Sequence, residues 1–295
     1  QLLRHGAVCS LTVRPAIGRF ALHSAATVTT SCQQQQPIEG STVKQQSVYY
    51  IFCLTGIAVA FNVASISAIV PSVARDLAIS EFIAGKIIWA YMIPYGICAL
   101  FYGPLSRIFS MKRILVACMS LVAFFSVLSG CAETFVSLFV FRVMVGIFAS
   151  AMTPLTLLYI AHTFDTEERG KIVGTFFSIT FVSSLIGLFL SGIIHWRWIF
   201  YIPAFISAAA VILLVKAFPA VTLKAEGSKS RYIQAFMTPK ILRIFTYIFS
   251  ISFLFHLAGQ WMGVYFSREH QLPQFIISML LTVVSFAGIF GEFLG

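Results

Sequence analysis

The chain has 295 residues, of which 59% are hydrophobic and 10% charged, with a formal net charge of +10 and a mean hydropathy of +0.91. These values lie far from those of a water-soluble domain, and thirty phenylalanines are more than one soluble core of this size hides. The soluble classes therefore lose their support, and an integral membrane protein is predicted.

Residues 1–46 come first as a polar, Ser/Thr-rich region with a Gln run at 33–36 and one acid, Glu39. We expect a disordered cytoplasmic tail or a non-native extension here; Arg4, Arg14 and Arg19 also give it some likeness to an organelle transit peptide. A bilayer core needs about 20 apolar residues per helix, and eight runs satisfy that length. They are Val48 to Val70, Phe82 to Tyr102, Ile114 to Gly130, Phe135 to Ala161, Ile172 to Ile194, Trp198 to Ala217, Ile241 to Phe266 and Phe275 to Leu294. A polar stretch, 218–240, is expected to link a six-helix bundle (47–217) to two helices of a second bundle (241–295). Because residue 1 is Gln and the last run reaches the final residue, a truncated chain is expected.

Lysine and arginine are distributed unevenly between the connections. Arg107, Lys112 and Arg113 fall in one, Arg169 and Lys171 in the next but one, and Lys216, Lys224, Lys229, Arg231, Lys240 and Arg243 in the third of the set. The alternate connections carry Arg75, Arg197 and Arg268. The positive-inside rule then places the N-terminus and the basic set in the cytoplasm, and it accounts for most of the net charge without nucleic acid as a partner. The cysteines (Cys9, Cys32, Cys53, Cys98, Cys118 and Cys131) form no CxxC pair, so no metal, disulfide framework or cofactor is expected. No nucleophile, base and oxyanion donor can be assembled either, which argues against an enzyme.

Several segments carry a family resemblance. The stretch GPLSRIFSMKRIL at 103–115 is similar to the signature G-x-L-x-D-R-x-G-R-K through Gly103, Leu105, Lys112 and Arg113, with Arg107 at the acidic position and Ser110 at a later glycine. VPSVARDLAIS, then WAYMIPYG at 89–96, FRVMVGIFASAMTP with Arg142, Gly146 and Pro154, EERGK at 167–171 and HWRWIFYIPA at 195–204 follow in order. Together they resemble the major facilitator superfamily, most closely its drug:proton antiporter branches. The resemblance implies an all-α helical bundle with about 8 of 12 expected transmembrane helices present. It also implies a monomeric, multi-pass transporter of the plasma or bacterial inner membrane that takes a small-molecule substrate, with protons as the coupling ion.

Individual residues point to roles within that frame. Gly103 and Pro104 allow a tight exit from a helix, and with Leu105, Arg107, Lys112 and Arg113 they form the expected gating loop, a purely topogenic loop being the other reading. Arg142 sits inside the fourth run, where a cation must face the bundle interior or snorkel to the headgroups. His256, with Gln260 one turn later, and Asn62 are polar groups within apolar runs and are candidates for a substrate or proton pathway; interhelical hydrogen bonding is the plainer reading. Trp89 and Tyr91 are candidate cavity-lining aromatics, or packing residues. Ser183, Gly187, Ser191 and Gly192 form a small-residue seam or a variant of the antiporter motif, with Leu188 at its proline. No acid lies well inside the first six runs. The expected activity is export of small amphiphilic or drug-like molecules by proton antiport. A metabolite facilitator or importer is the alternative, with a nontransporting receptor or scaffold as the alternative of another class.

Overall fold

The computed structural model describes residues 42–218 and 238–294, with backbone alone at 42–45, 248, 252, 255–258, 260 and 288–294. Most of the expected tail and linker, and the side chains of His256 and Gln260, lie outside the described residues. Among those described, the fold is all-α: α1 (Thr42–Asp76), α2 (Glu81–Leu105), α3 (Met111–Gly130), α4 (Phe135–Ala149), α5 (Met152–Thr163), α6 (Thr166–Ser191), α7 (Trp198–Ala217), α8 (Pro239–His270) and α9 (Gln274–Leu294).

In hydrocarbon a backbone group finds no water, so each segment must bond internally, and the apolar runs become helices. Among the described residues, six spans are long and apolar enough to cross a membrane: Gln46–Asp76, Glu81–Leu105, Met111–Gly130, Phe135–Thr163, Thr166–Ser191 and Trp198–Ala217. The first extends beyond its expected end at Val70 and continues through Pro71. Proline costs one helical hydrogen bond, but α6, α7 and α8 pack along α1 and hold the helix through that point. The fourth span is not the single helix expected. It breaks at Ser150 and Ala151 because Pro154 has no N–H for the Ser150 carbonyl and its ring crowds that oxygen.

The helices alternate direction, so the bundle has two ends. One, the basic end, carries the 106–110 and 164–165 connections; the far end carries 77–80, 131–134, 192–197 and 271–273. A core cluster near the basic end includes Phe52, Leu115, Met119, Leu155, Tyr159 and Leu214, and one near the far end includes Ile69, Val73, Ile87, Trp196 and Ile199. Since lipid is as apolar as leucine, helices associate through close approach at small residues and through hydrogen bonds. The α1–α6 seam shows both: Ser183 Oγ donates to the Ile57 carbonyl at 2.9 Å, and Gly187 lies against Ser65 and Phe61, where a Cβ would overlap Ser65 Oγ.

Helices α8 and α9 dock on this bundle at the far end. Pro71 leaves the Ser67 carbonyl without its helical donor, and Gly263 of α8 approaches that oxygen so closely that a Cβ would stand 2.7 Å from it. Gln274 donates to the Ala68 carbonyl and receives the Ser72 hydroxyl at 3.3 Å, while Ser191 and Ser278 pair at 3.2 Å. Every described side chain of α8 from Lys240 to Leu254 is exposed, and burial begins near Trp261.

Candidate functional site

The seven-helix core is built around one buried cation. Arg142, on α4, is 1% exposed, and its Nη1 donates to Asn62 Oδ1 of α1, itself 1% exposed. Asn62 in turn reaches Ser126 Oγ of α3 at 3.5 Å. The guanidinium carbon lies 4.5 Å from the Tyr91 ring centre of α2 and 5.5 Å from that of Phe200 of α7. Helices α1, α2 and α7 therefore converge on Arg142 of α4, with α3 joined through Asn62, and the guanidinium does not snorkel to the headgroups.

The R-x-x-x-G spacing explains the geometry. Residues four apart share a helix face, so Arg142 and Gly146 both look toward α2. Gly146 has no side chain where one would overlap the Tyr91 carbonyl oxygen, with Pro94 Cγ at 3.1 Å. That approach lays the Tyr91 ring over the guanidinium. Negative ring faces and an amide oxygen thus take the place of a counter-ion, each cation–ring contact being worth about 0.5–2 kcal/mol. Arg142 Nε and Tyr91 Oη remain buried without hydrogen-bond partners. Among the described residues no aspartate or glutamate is buried beside them.

Of the residues singled out from sequence, Arg142, Asn62 and Tyr91 meet here. Trp89 does not: it is 48% exposed, because residues two apart on a helix face different directions. On α6, Ser183 and Gly187 pack against α1, whereas Ser191 and its cap Gly192 pack against α9; a Cβ at Gly192 would stand 2.7 Å from Ser278 Cβ. Lys86 extends over the Phe82 ring at 5.5 Å. Phe200 and Ser126 complete the cluster without having been singled out, although Phe200 falls inside the HWRWIFYIPA segment.

The expected gating loop is shorter than its motif. Gly103, Pro104 and Leu105 form the last turn of α2 rather than a turn out of it, and the connection proper is 106–110. Pro104 deprives the Leu100 carbonyl of its helical donor near the end of α2, and Ser106 closes the final turn onto the Gly103 carbonyl at 2.7 Å. Lys112 Nζ donates to the Val215 carbonyl at the end of α7 at 2.8 Å, while Arg107 and Arg113 are exposed. Arg169 Nε does the same for Phe164 after α5, at 2.9 Å. At the far end Arg197 donates to Gly130 and Ala132 after α3, both at 2.8 Å. These cations sit where helix C-termini leave carbonyls unpaired and present negative dipole ends.

Two further groups at the far end were not singled out from sequence. Asp76 accepts from Trp196 Nε1 at 2.7 Å and lies 3.1 Å from His195 Nε2, tying the end of α1 to the start of α7. Glu81, in the first turn of α2, accepts from Ser267 of α8 at 2.9 Å. Both are acids at helix ends, a position that in sequence reads as a solvated cap. Among the described residues no group of His, Cys, Asp or Glu is placed to hold a metal.

A profile of the family described as Major Facilitator Superfamily matches residues 52–295. The chain is 31% identical over 131 residues to multidrug resistance protein 3 of Bacillus subtilis (strain 168), a match covering 43% of this chain and 26% of that protein. It is 32% identical over 148 residues to the puromycin resistance protein pur8 of Streptomyces alboniger, covering 48% of this chain and 29% of that protein. The matches thus span less than a third of these relatives' lengths. Among solved structures, a bacterial homologue of the human lysosomal transporter Spinster, in an inward-facing and unoccupied conformation, is similar with a TM-score of 0.68 and 16% identity, covering 86% of this chain and 63% of that one. With its fold and its motifs alike in agreement with that profile, the chain belongs to the Major Facilitator Superfamily.

Proposed function

We propose that this protein exports small amphiphilic or drug-like molecules by alternating access, in exchange for protons. The observation that carries the reading is the one-ended docking of α8 and α9. Their hydrogen bonds and close approaches to the first seven helices lie at the far end, and α8 is exposed toward the basic end. A rigid bundle whose contacts with its partner helices lie, among the described residues, at one end can exchange that closed end for the other by rocking around a central site, as alternating access requires. With the N-terminus cytoplasmic, the basic end faces the cytoplasm and the far end the outside of the cell membrane.

Resistance-named relatives support efflux as the direction. In this reading Arg142 supplies a fixed charge, not a proton, because a guanidinium holds its protons throughout the range in which cells work. It binds α1, α2, α4 and α7 into one moving body. The proton carrier is His256, in the part of α8 between its exposed first half and its docked second half. The test is ethidium efflux from proteoliposomes holding the full-length protein, with an imposed pH gradient. Efflux that collapses with the gradient supports antiport, and efflux indifferent to the gradient rejects it.

A further inference from the structure

The far-end contacts differ in chemistry. Ser191 with Ser278, and Gln274 with Ala68 and Ser72, are neutral hydrogen bonds. Among the described residues, the ion pair joining α8 or α9 to the earlier helices is Glu81 with Arg268. Its carboxylate is held firmly. Ser80 caps α2 by accepting from Ile83 N at 3.3 Å, which fixes Glu81 in the first helical turn, where the dipole favours a negative group. The face of α2 bearing Glu81, Phe82 and Gly85 meets the face of α8 bearing Trp261 and Ser267. The Trp261 ring stacks on Phe82 with centroids 6.2 Å apart and fills the space left by Gly85, where a Cβ would stand 3.2 Å from it.

The same packing shields the carboxylate. Glu81 is 19% exposed; its Oε1 accepts from Ser267 Oγ at 2.9 Å, and its Oε2 is buried without a hydrogen-bond partner. Arg268 Nε stands 3.5 Å from Oε2, but the arginine side chain is 68% exposed. An ion pair with one partner in solvent contributes little, whereas a dehydrated charged oxygen without a donor opposes the state that buries it. Separation of α2 from α8 would return that oxygen to water. The charge on Glu81 therefore works against far-end closure, and the Ser267 hydrogen bond works for it.

We propose that Glu81 is the gate residue of the far end, its charge biasing the transporter toward the far-end-open state and Ser267 holding it closed. The inference rests on the alternating-access reading. It is tested on the full-length protein in lipid nanodiscs, with native cysteines replaced and spin labels placed through Glu133→Cys and His270→Cys, both exposed at the far end. The ratio of short to long label distances then reports closure by pulsed electron resonance. Glu81→Gln is expected to raise the closed-to-open ratio about fivefold, and Ser267→Ala to lower it by a similar factor. Arg268→Gln is expected to move it by less than about twofold. An Arg268→Gln and a Glu81→Gln that both open the far end would make the ion pair the latch and overturn the proposal, as would a Glu81→Gln without effect. A wild type with one distance under every substrate and pH gradient would instead remove the alternating-access reading itself.

Discussion

The Arg142 guanidinium on α4 and the Asn62 amide on α1, eighty positions apart in the chain, share a hydrogen bond sealed from solvent on all sides. Breaking one partner of such a contact costs more than replacing it whole, since the remaining group stays buried and unpaired. Asn62→Leu is thus expected to destabilise the protein by about 1–3 kcal/mol. Arg142→Met added to Asn62→Leu, which replaces the contact whole, is expected to bring stability back to within about 1 kcal/mol of wild type while ethidium export falls at least about tenfold. Thermal unfolding in detergent and vesicle efflux check the two arms; equal instability of both variants would refute the charge-burial argument.

Gly146 tests how the ring reaches the cation. Because a methyl group there overlaps the Tyr91 backbone oxygen, which cannot swing aside, Gly146→Ala should push α4 from α2 and lower stability by about 1–3 kcal/mol. Gly174 on α6 has nothing within 4 Å of the position a methyl group would take and serves as the control. Gly174→Ala is expected to be neutral or stabilising by up to about 1 kcal/mol, as Ala suits a helix better. Comparison of the two midpoints of unfolding decides it.

At Gly187 the obstacle is a side chain and can be removed. A methyl there meets Ser65 Oγ, which is itself held by the Phe61 carbonyl at 2.7 Å. Gly187→Ala alone is expected to loosen the α1–α6 seam. Adding Ser65→Ala should restore at least about half of the loss, a non-additivity typical of touching residues. Strict additivity in a double-mutant cycle would contradict the seam.

The basic connection and the first turn of α3 together carry three cations of unequal structural weight. Lys112→Ala removes a donor from the end of α7 and is expected to cost about 0.5–1.5 kcal/mol of stability, whereas Arg107→Ala and Arg113→Ala, both exposed, should stay within about 0.5 kcal/mol. Their contribution is to orientation, so replacing both is expected to raise the fraction of inverted molecules, read by protease accessibility of the connection.

The spans were readable from hydropathy because the bilayer imposes length and internal bonding on every segment, as in α3 and α7, whose expected ends lie within a few residues of those observed. Arg142 stood out for the same reason, as a cation where lipid forbids one. Its partners were less visible. Asn62 and Tyr91 each had a dull alternative, and only their packing across α1, α2 and α4 joins them. The break at Ser150 was missed although Pro154 follows one turn later, and Pro71, which sits in a continuous helix, shows why proline alone does not set a helix end. The shielding of the Glu81 carboxylate could not be read, because the residues that cover it lie on α8, nearly two hundred positions away. The side chains of His256 and Gln260 lie outside the described residues.

Alternating access requires the far end to open in every cycle, and Ser191 and Ser278 offer the most direct test. Their hydroxyl oxygens are 3.2 Å apart across α6 and α9, close enough for Ser191→Cys with Ser278→Cys to form a disulfide in an otherwise cysteine-free protein. Oxidation is predicted to stop ethidium efflux and reduction to restore it. Undiminished efflux with the bond fully formed would contradict the account.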